Sequence, residues 1–206
     1  MLHVFERAAL AGPPPHPVLV LLHGYGANEE DLLWLANEMD PRVHVVLPRA
    51  PTRVPGFDGY QWYDPSSAGQ PDAAGLHKSL TELSATLQRL VQQDALDASR
   101  LVLGGFSQGG LMTAAYGART LFPVPRALVI LSGYLPPGEA IAPMHGLPVF
   151  IGHGQDDPVV PLSWGLGLAR RLELAGAVVE AHTYPGGHGL HPTELAEMTR
   201  FLRTHL

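Results

Sequence analysis

Ser107 stands in the segment GGFSQGG, residues 104–110, in which Gly105 to Gly109 read Gly-x-Ser-x-Gly. The apolar run Leu101 to Gly105 precedes it, and a helical pattern opens at Gln108. A strand that turns at once into a helix needs glycines on both sides of the turning residue, because a Cβ there would meet neighbouring backbone. Such a turn lifts the Ser107 hydroxyl above the sheet edge and sets it at a helix N-terminus, where unpaired N–H groups favour developing negative charge. An ordinary N-cap serine in a glycine-rich turn is the plain alternative. The strand and helix on either side favour a nucleophile.

A serine hydroxyl is a poor nucleophile until a base takes its proton, and that base needs an acid to orient it. Two later segments supply candidates: HGQDDPVVP follows the apolar run Val149 to Ile151, and PGGHGLH follows Val178 to Tyr184. Adjacent side chains in extended backbone point opposite ways, so one of Asp156 and Asp157 faces the base. Pro158 biases Asp157 toward extended geometry, which favours it, with Asp156 expected as a turn residue. Among eleven histidines, position decides. His188 lies just beyond the last strand with glycines at 186, 187 and 189, and His191 is the runner-up; His182 and His205 are expected to be structural or solvated.

Acyl transfer passes through an oxyanion that needs two backbone donors. The Gln108 N–H, next after the serine, is one candidate, and the Tyr25 N–H in LLHGYGANEE is the other. His23 is expected to bond backbone and hold that loop. Phe57, Tyr60, Trp62 and Tyr63 are expected to line an acyl channel, with Asp64 pinning their loop; simple cover for the sheet edge is the competing reading.

These groups need a frame. Short apolar runs recur at 18–22, 43–47, 101–105, 127–131, 149–151 and 178–184, mostly continuous, as in parallel strands buried on both faces. Between them lie helical patterns at 29–39, 76–91, 108–121, 162–175 and 192–206, with Pro192 suited to a first turn and Gly176 to a C-terminal cap. Alternation of this kind predicts an α/β fold, a mostly parallel sheet with helices on both faces, and Val4 to Arg7 as an antiparallel edge strand. Residues 48–71 and 133–147 read as long loops.

Composition bounds the rest. With 206 residues, 46% hydrophobic and 16% charged, the chain is expected to form one α/β domain, 1–206. A net charge of −6, with twelve arginines and Lys78 scattered, argues against nucleic acid. The absence of cysteine excludes thiolate chemistry and a cysteine zinc site, and no HExxH spacing suggests another metal. The opening MLHVFERAALAG lacks a signal-peptide pattern and no apolar run approaches a membrane span, so a cytoplasmic protein without stable membrane insertion is expected.

Together GGFSQGG, LHGYGANEEDL, PRAP, QWYD, GHGQDDPVVP and YPGGHGL resemble the phospholipase/carboxylesterase family of α/β-hydrolases, in the right order from about residue 18 to the C-terminus. The resemblance implies an α/β-hydrolase fold, and the connection of about 15 residues after the run 127–131 is too short for a helical cap, so no cap domain is expected. The resemblance also implies a triad of Ser107, Asp157 and His188 with oxyanion donors at Tyr25 and Gln108. It further implies cleavage of small-molecule esters of short to medium acyl chains, with lysophospholipids or protein thioesters cleaved by some members, no cofactor, and in many members a homodimer. Gly186 and Gly187 stand where the family often carries a methionine before the histidine. A small peptidase on the same fold lacks room for its gating domain, and a ligand-binding pseudo-hydrolase is disfavoured because every triad position is filled.

Overall fold

The computed structural model describes residues 1–65 and 70–206; positions 66–69 of the long 48–71 connection lie outside the described residues. In chain order the strands are β1 (Val4–Arg7), β2 (His16–Leu22), β3 (His44–Pro48), β4 (Thr52–Arg53), β5 (Tyr60–Gln61), β6 (Leu96–Phe106), β7 (Ala127–Leu131), β8 (Pro148–Gly154) and β9 (Val178–Tyr184). The α-helices are α1 (Leu33–Glu38), α2 (Ala73–Leu90), α3 (Gln108–Ala118), α4 (Leu162–Leu174) and α5 (Pro192–His205).

Seven strands form one sheet in the order β1-β3-β2-β6-β7-β8-β9. All pairs are parallel except β1 with β3. Alternate residues of the buried strands enter two different cores. Val18, Val20, Leu101, Leu103, Leu128 and Ile130 pack with α2, α3 and α4, whereas Leu19, Leu21, Val102, Val129 and Phe150 pack with α1 and α5. The two-residue period of a strand therefore divides one sheet between two helical layers.

Helix α2 shows how sequence pattern becomes packing. Leu76, Leu80, Leu83, Leu87 and Leu90 follow a four-three spacing and all are buried in the same core. Each such leucine contributes roughly 1.5–3 kcal/mol relative to exposure. Asp72 caps the helix, its carboxylate accepting from the Ala74 and Gly75 N–H groups at 3.3 and 2.7 Å. At the far end of α4, Gly176 adopts φ +91°, a left-handed conformation that closes the helix as the sequence predicts.

Two local expectations change. The 29–39 helix begins as a 3-10 turn, Glu29–Leu32, capped by Asn28, before α1. The 48–71 connection holds the β4–β5 hairpin, too short to leave a periodic signal. The 132–147 connection contains no helix, so nothing caps the sheet's C-terminal edge there.

Strand order reverses between β2 and β6, since the chain goes from β2 to β3 on one side and β6 to β7 on the other. Loops at the carboxyl ends of such a pair diverge and leave a crevice. Ser107 follows β6 and Gly24 follows β2 at this crevice.

Candidate active site

Ser107 sits between β6 and α3 with φ 56° and ψ −116°, a conformation that L-residues rarely adopt and that costs on the order of 1–3 kcal/mol. Its surroundings enforce it. A Cβ at Gly105 would overlap the Gly109 carbonyl, and a Cβ at Gly109 would overlap the Leu22 carbonyl on β2. The Ser107 N–H donates to the Leu131 carbonyl at 2.9 Å, tying the turn to the end of β7.

The loops after β8 and β9 reach the same point. His188 Nε2 lies 2.8 Å from Ser107 Oγ, and His188 Nδ1 lies 2.7 Å from Asp157 Oδ2. A carboxylate accepts only, so Nδ1 carries the proton and Nε2 presents its lone pair to the serine. Burial pushes the Asp157 carboxyl up, but the His188 bond and the Val160 and Val159 N–H groups outweigh it and hold the acid below its ordinary range. Those N–H groups both donate to Oδ1 at 2.8 Å. Buried His153 adds a neighbour that the sequence did not single out. Its Nε2 lies 2.8 Å from the Val160 carbonyl and 3.6 Å from Asp157 Oδ2.

The competing candidates go elsewhere. The exposed Asp156 donates its N–H to the Gly186 carbonyl at 2.9 Å, as a turn residue. His191 is the N-cap of α5, His182 pairs with Glu197 at 3.1 Å, and His205 packs on Phe201. His23 holds backbone: Nε2 accepts from the Ala50 N–H at 3.0 Å, which leaves Nδ1 to donate to the Gly24 carbonyl at 2.8 Å. Burial lowers its pKa, in keeping with a neutral ring.

Gly24 runs so close to the nucleophile that a Cβ there would stand 3.4 Å from the Ser107 Cβ. Among the described residues, neither the Tyr25 N–H nor the Gln108 N–H donates to a protein acceptor. The Gln108 side chain is a strut: Oε1 accepts from the Trp62 N–H and Nε2 donates to the Tyr63 carbonyl, each at 2.8 Å. On the other side, Gly26 donates to the Tyr60 carbonyl and Tyr60 to the Ala27 carbonyl, each at 2.9 Å. The hairpin thus brackets the Tyr25 loop.

That geometry corrects the expected acyl channel. Trp62 is fully buried, its indole N–H donating to the His23 carbonyl at 2.9 Å, and Tyr63 is buried with its hydroxyl bonded to Tyr134. Tyr60 is half-buried under the Arg49 guanidinium, 4.8 Å from its ring centroid. Phe57 is 72% exposed at the hairpin tip. Trp62 and Tyr63 build the wall's interior, because a loop anchored by Gln108 turns them inward, while Phe57 faces solvent. Asp64 does hold the loop, accepting from the Gln61 amide. A concave surface of about 260 Å³ instead lies beside Tyr134, which follows β7, and Trp164, which opens α4, their rings in contact at 4.8 Å between centroids, with Leu135, Pro137 and Leu168 completing the lining. A larger cavity, about 590 Å³, lies at the opposite edge of the sheet, beside His16, Val43 and Leu202.

Arg49 secures the hairpin from below. Its guanidinium donates to the buried Glu29 carboxylate at 2.7 and 2.5 Å and to Tyr60 Oη at 3.4 Å. Burial favours the neutral acid, yet the Arg49 bonds outweigh it and keep Glu29 ionised. Arg49→Met would leave that carboxylate buried without its guanidinium. We expect a loss of about 3 kcal/mol in urea unfolding, larger than the near-zero effect of an exposed pair such as Arg53–Asp58.

Among the described residues, no helix is long and apolar enough to cross a membrane, and no group of three or more His, Asp or Glu is placed to hold a metal ion.

Acyl-protein thioesterase 1 of Mycosarcoma maydis is 32% identical over 222 residues, covering 93% of this chain and 92% of its own. The enzyme of the same name from Debaryomyces hansenii is 29% identical over 219 residues, covering 95% and 94%. The Bacillus cereus carboxylesterase crystal structure matches with a TM-score of 0.89 and 26% identity, over 100% of this chain and 95% of its own. Sheet order, the uncapped rim and these neighbours make the fold that of an α/β-hydrolase. A family model described as Phospholipase/Carboxylesterase matches residues 7–206, and the chain belongs to that family.

Proposed function

We propose that the chain is a single-domain serine hydrolase that cleaves carboxylic esters, and thioesters by the same route, through an acyl-enzyme. The observation that carries this reading is the continuous hydrogen-bonded path from Ser107 Oγ through the His188 ring to Asp157. Ser107 attacks the acyl carbonyl while His188 Nε2 takes its proton. The oxyanion that forms is met by the Tyr25 and Gln108 N–H groups, both held by neighbouring bonds before substrate arrives. His188 then returns the proton to the departing alcohol or thiol. Water, activated by the same ring, attacks the acyl-enzyme and frees Ser107. Asp157 fixes the ring's tautomer throughout and stabilises the imidazolium.

The acyl group lies in the cleft beside the contacting rings of Tyr134 and Trp164. Tyr134 stands three residues past Leu131, whose carbonyl holds the Ser107 N–H, and Trp164 four past Val160, which is bonded to Asp157. A cleft of about 260 Å³ suits short to medium chains. Thioester cleavage has the support of the acyl-protein thioesterases among the relatives. We further propose a cytoplasmic location and, from the family resemblance, a homodimer; fractionation and sedimentation equilibrium test them.

Incubation with a fluorophosphonate followed by digestion should label the Ser107 peptide and no other. In an acyl series with one alcohol, kcat/KM should peak at short to medium chains with no jump at the micellar threshold, since no cap has to open. Label on a peptide without Ser107, or a rate that rises sharply at that threshold, would reject the reading.

A further inference from the structure

Glu194, in the first turn of α5, is 1% exposed, and no Lys, Arg or His pairs with it among the described residues. Glu29, almost as buried, has Arg49. Of the two Glu194 oxygens, Oε2 accepts the His191 N–H at 3.1 Å, and the buried Oε1 has no hydrogen-bond partner. The capping-box bond uses Oε2 alone and does not account for the buried Oε1.

What it lies against is the strand that leads to Asp157. A Cβ at Gly152 would overlap Glu194 Oε1, and a Cβ at Gly154 would overlap the Gly187 carbonyl. Positions 152 and 154 share one face of β8, so their missing side chains form a flat shelf. On that shelf sit the Glu194 carboxyl and the backbone of the loop that carries His188. A recess of about 250 Å³, bounded by Gly154, Tyr184, residues 185–191 and Glu194, runs behind the ring. The titratable groups facing the carboxyl are His188 and His191 from the loop and Tyr184 from β9, whose hydroxyl donates to Glu197 at 2.5 Å on Glu194's own helix. Strand β8 offers only glycine backbone.

We propose that Glu194 is a positioning residue for the His188–Asp157 pair: neutral, it seats the His188 loop on β8, and ionised, it loosens that seat and slows turnover. The inference rests on Ser107, His188 and Asp157 being the reacting groups. Burial, only partly opposed by the His191 bond, raises the Glu194 pKa to about 7, so both forms exist near neutrality. An ionised carboxylate in this position has one N–H donor for two oxygens. Water must then enter through the recess and part the loop from β8, or the carboxyl must swing out and abandon the His191 N–H. Either route disturbs the 2.8 Å contact between His188 Nε2 and Ser107 Oγ. The acyl cleft, on the other side of the nucleophile, is untouched.

The test compares Glu194→Gln with the unchanged enzyme on one short-chain chromogenic ester across pH 5.5–8.5. Gln mimics the neutral acid and cannot ionise. The ratio of kcat values, variant over unchanged, is expected near one at pH 5.5, rising to about threefold or more at pH 8.5 with a midpoint near 7, with KM equal throughout. Taking a ratio cancels the pH effects that the two enzymes share. A ratio independent of pH, whatever its size, means a cap only and overturns the proposal. Glu194→Met fills the same space without a charge and serves for the same ratio if E194Q does not fold. Fluorophosphonate labelling of Ser107 in the unchanged enzyme separates the failures. Label with a flat ratio sinks the Glu194 role alone, and no label sinks the reading beneath it.

Discussion

Ser107→Ala lowers kcat for a short-chain ester by about 10⁴- to 10⁶-fold with little change in KM or thermal midpoint. The change removes one oxygen and nothing that holds the turn. The Ser107 N–H still donates to Leu131, the flanking glycines still fit, and alanine meets the same φ of 56° with the same strain. The acyl cleft and the oxyanion donors stay in place, so binding survives while covalent catalysis does not. Because serine and imidazole act as one unit, His188→Ala should cost a similar factor, and the double variant little more than either. Steady-state kinetics on all three checks this; a Ser107→Ala protein that keeps a tenth of the rate would end the nucleophile assignment.

Asp157→Asn should cost about 10⁴-fold in kcat, and the surroundings dictate why. Oδ1 accepts the Val159 and Val160 N–H groups, so an asparagine at 157 keeps its oxygen there and turns its amide nitrogen toward His188. Nδ1 must then accept, the ring proton moves to Nε2, and the lone pair that should receive the serine proton is gone. The fold barely changes, so the loss appears in kcat. A second signature lies at acid pH. Asp157 is held below its ordinary pKa in the folded chain, so its stabilisation is complete above the unfolded carboxylate value and is lost as pH falls through the lower folded one. The variant lacks that acid-side loss, and urea titrations at pH 2.5 and 6 should show the difference.

Where a signal was local, the sequence carried it. The bounds of β7 and β9 and the Gly176 cap follow from apolar runs and punctuation that neighbours a few residues away decide. Ser107 was legible because its turn needs glycine on both sides. Asp157 and His188 were legible because strand ends locate loops. What escaped depends on partners far along the chain. The depth of Trp62 is set by the Gln108 amide 46 residues later and by the His23 carbonyl 39 residues earlier. Four aromatics in one loop look alike in composition, and only those cross-links decide which face inward. The Arg49–Glu29 pair spans 20 residues with nothing in either neighbourhood to announce it. Glu194 has the spacing of a helix-start motif, Pro192 followed two residues later by an acid, but its depth comes from an absent side chain at Gly152.

Because residues 132–147 hold no helix, the two halves of a substrate meet unequal treatment. One half is proposed to lie along the contacting Tyr134 and Trp164 rings, while the other projects into bulk water beside His188. Discrimination should therefore fall on the acid component alone. The body from which that acid is removed, whether a small alcohol or something far bulkier than the enzyme, is free to vary.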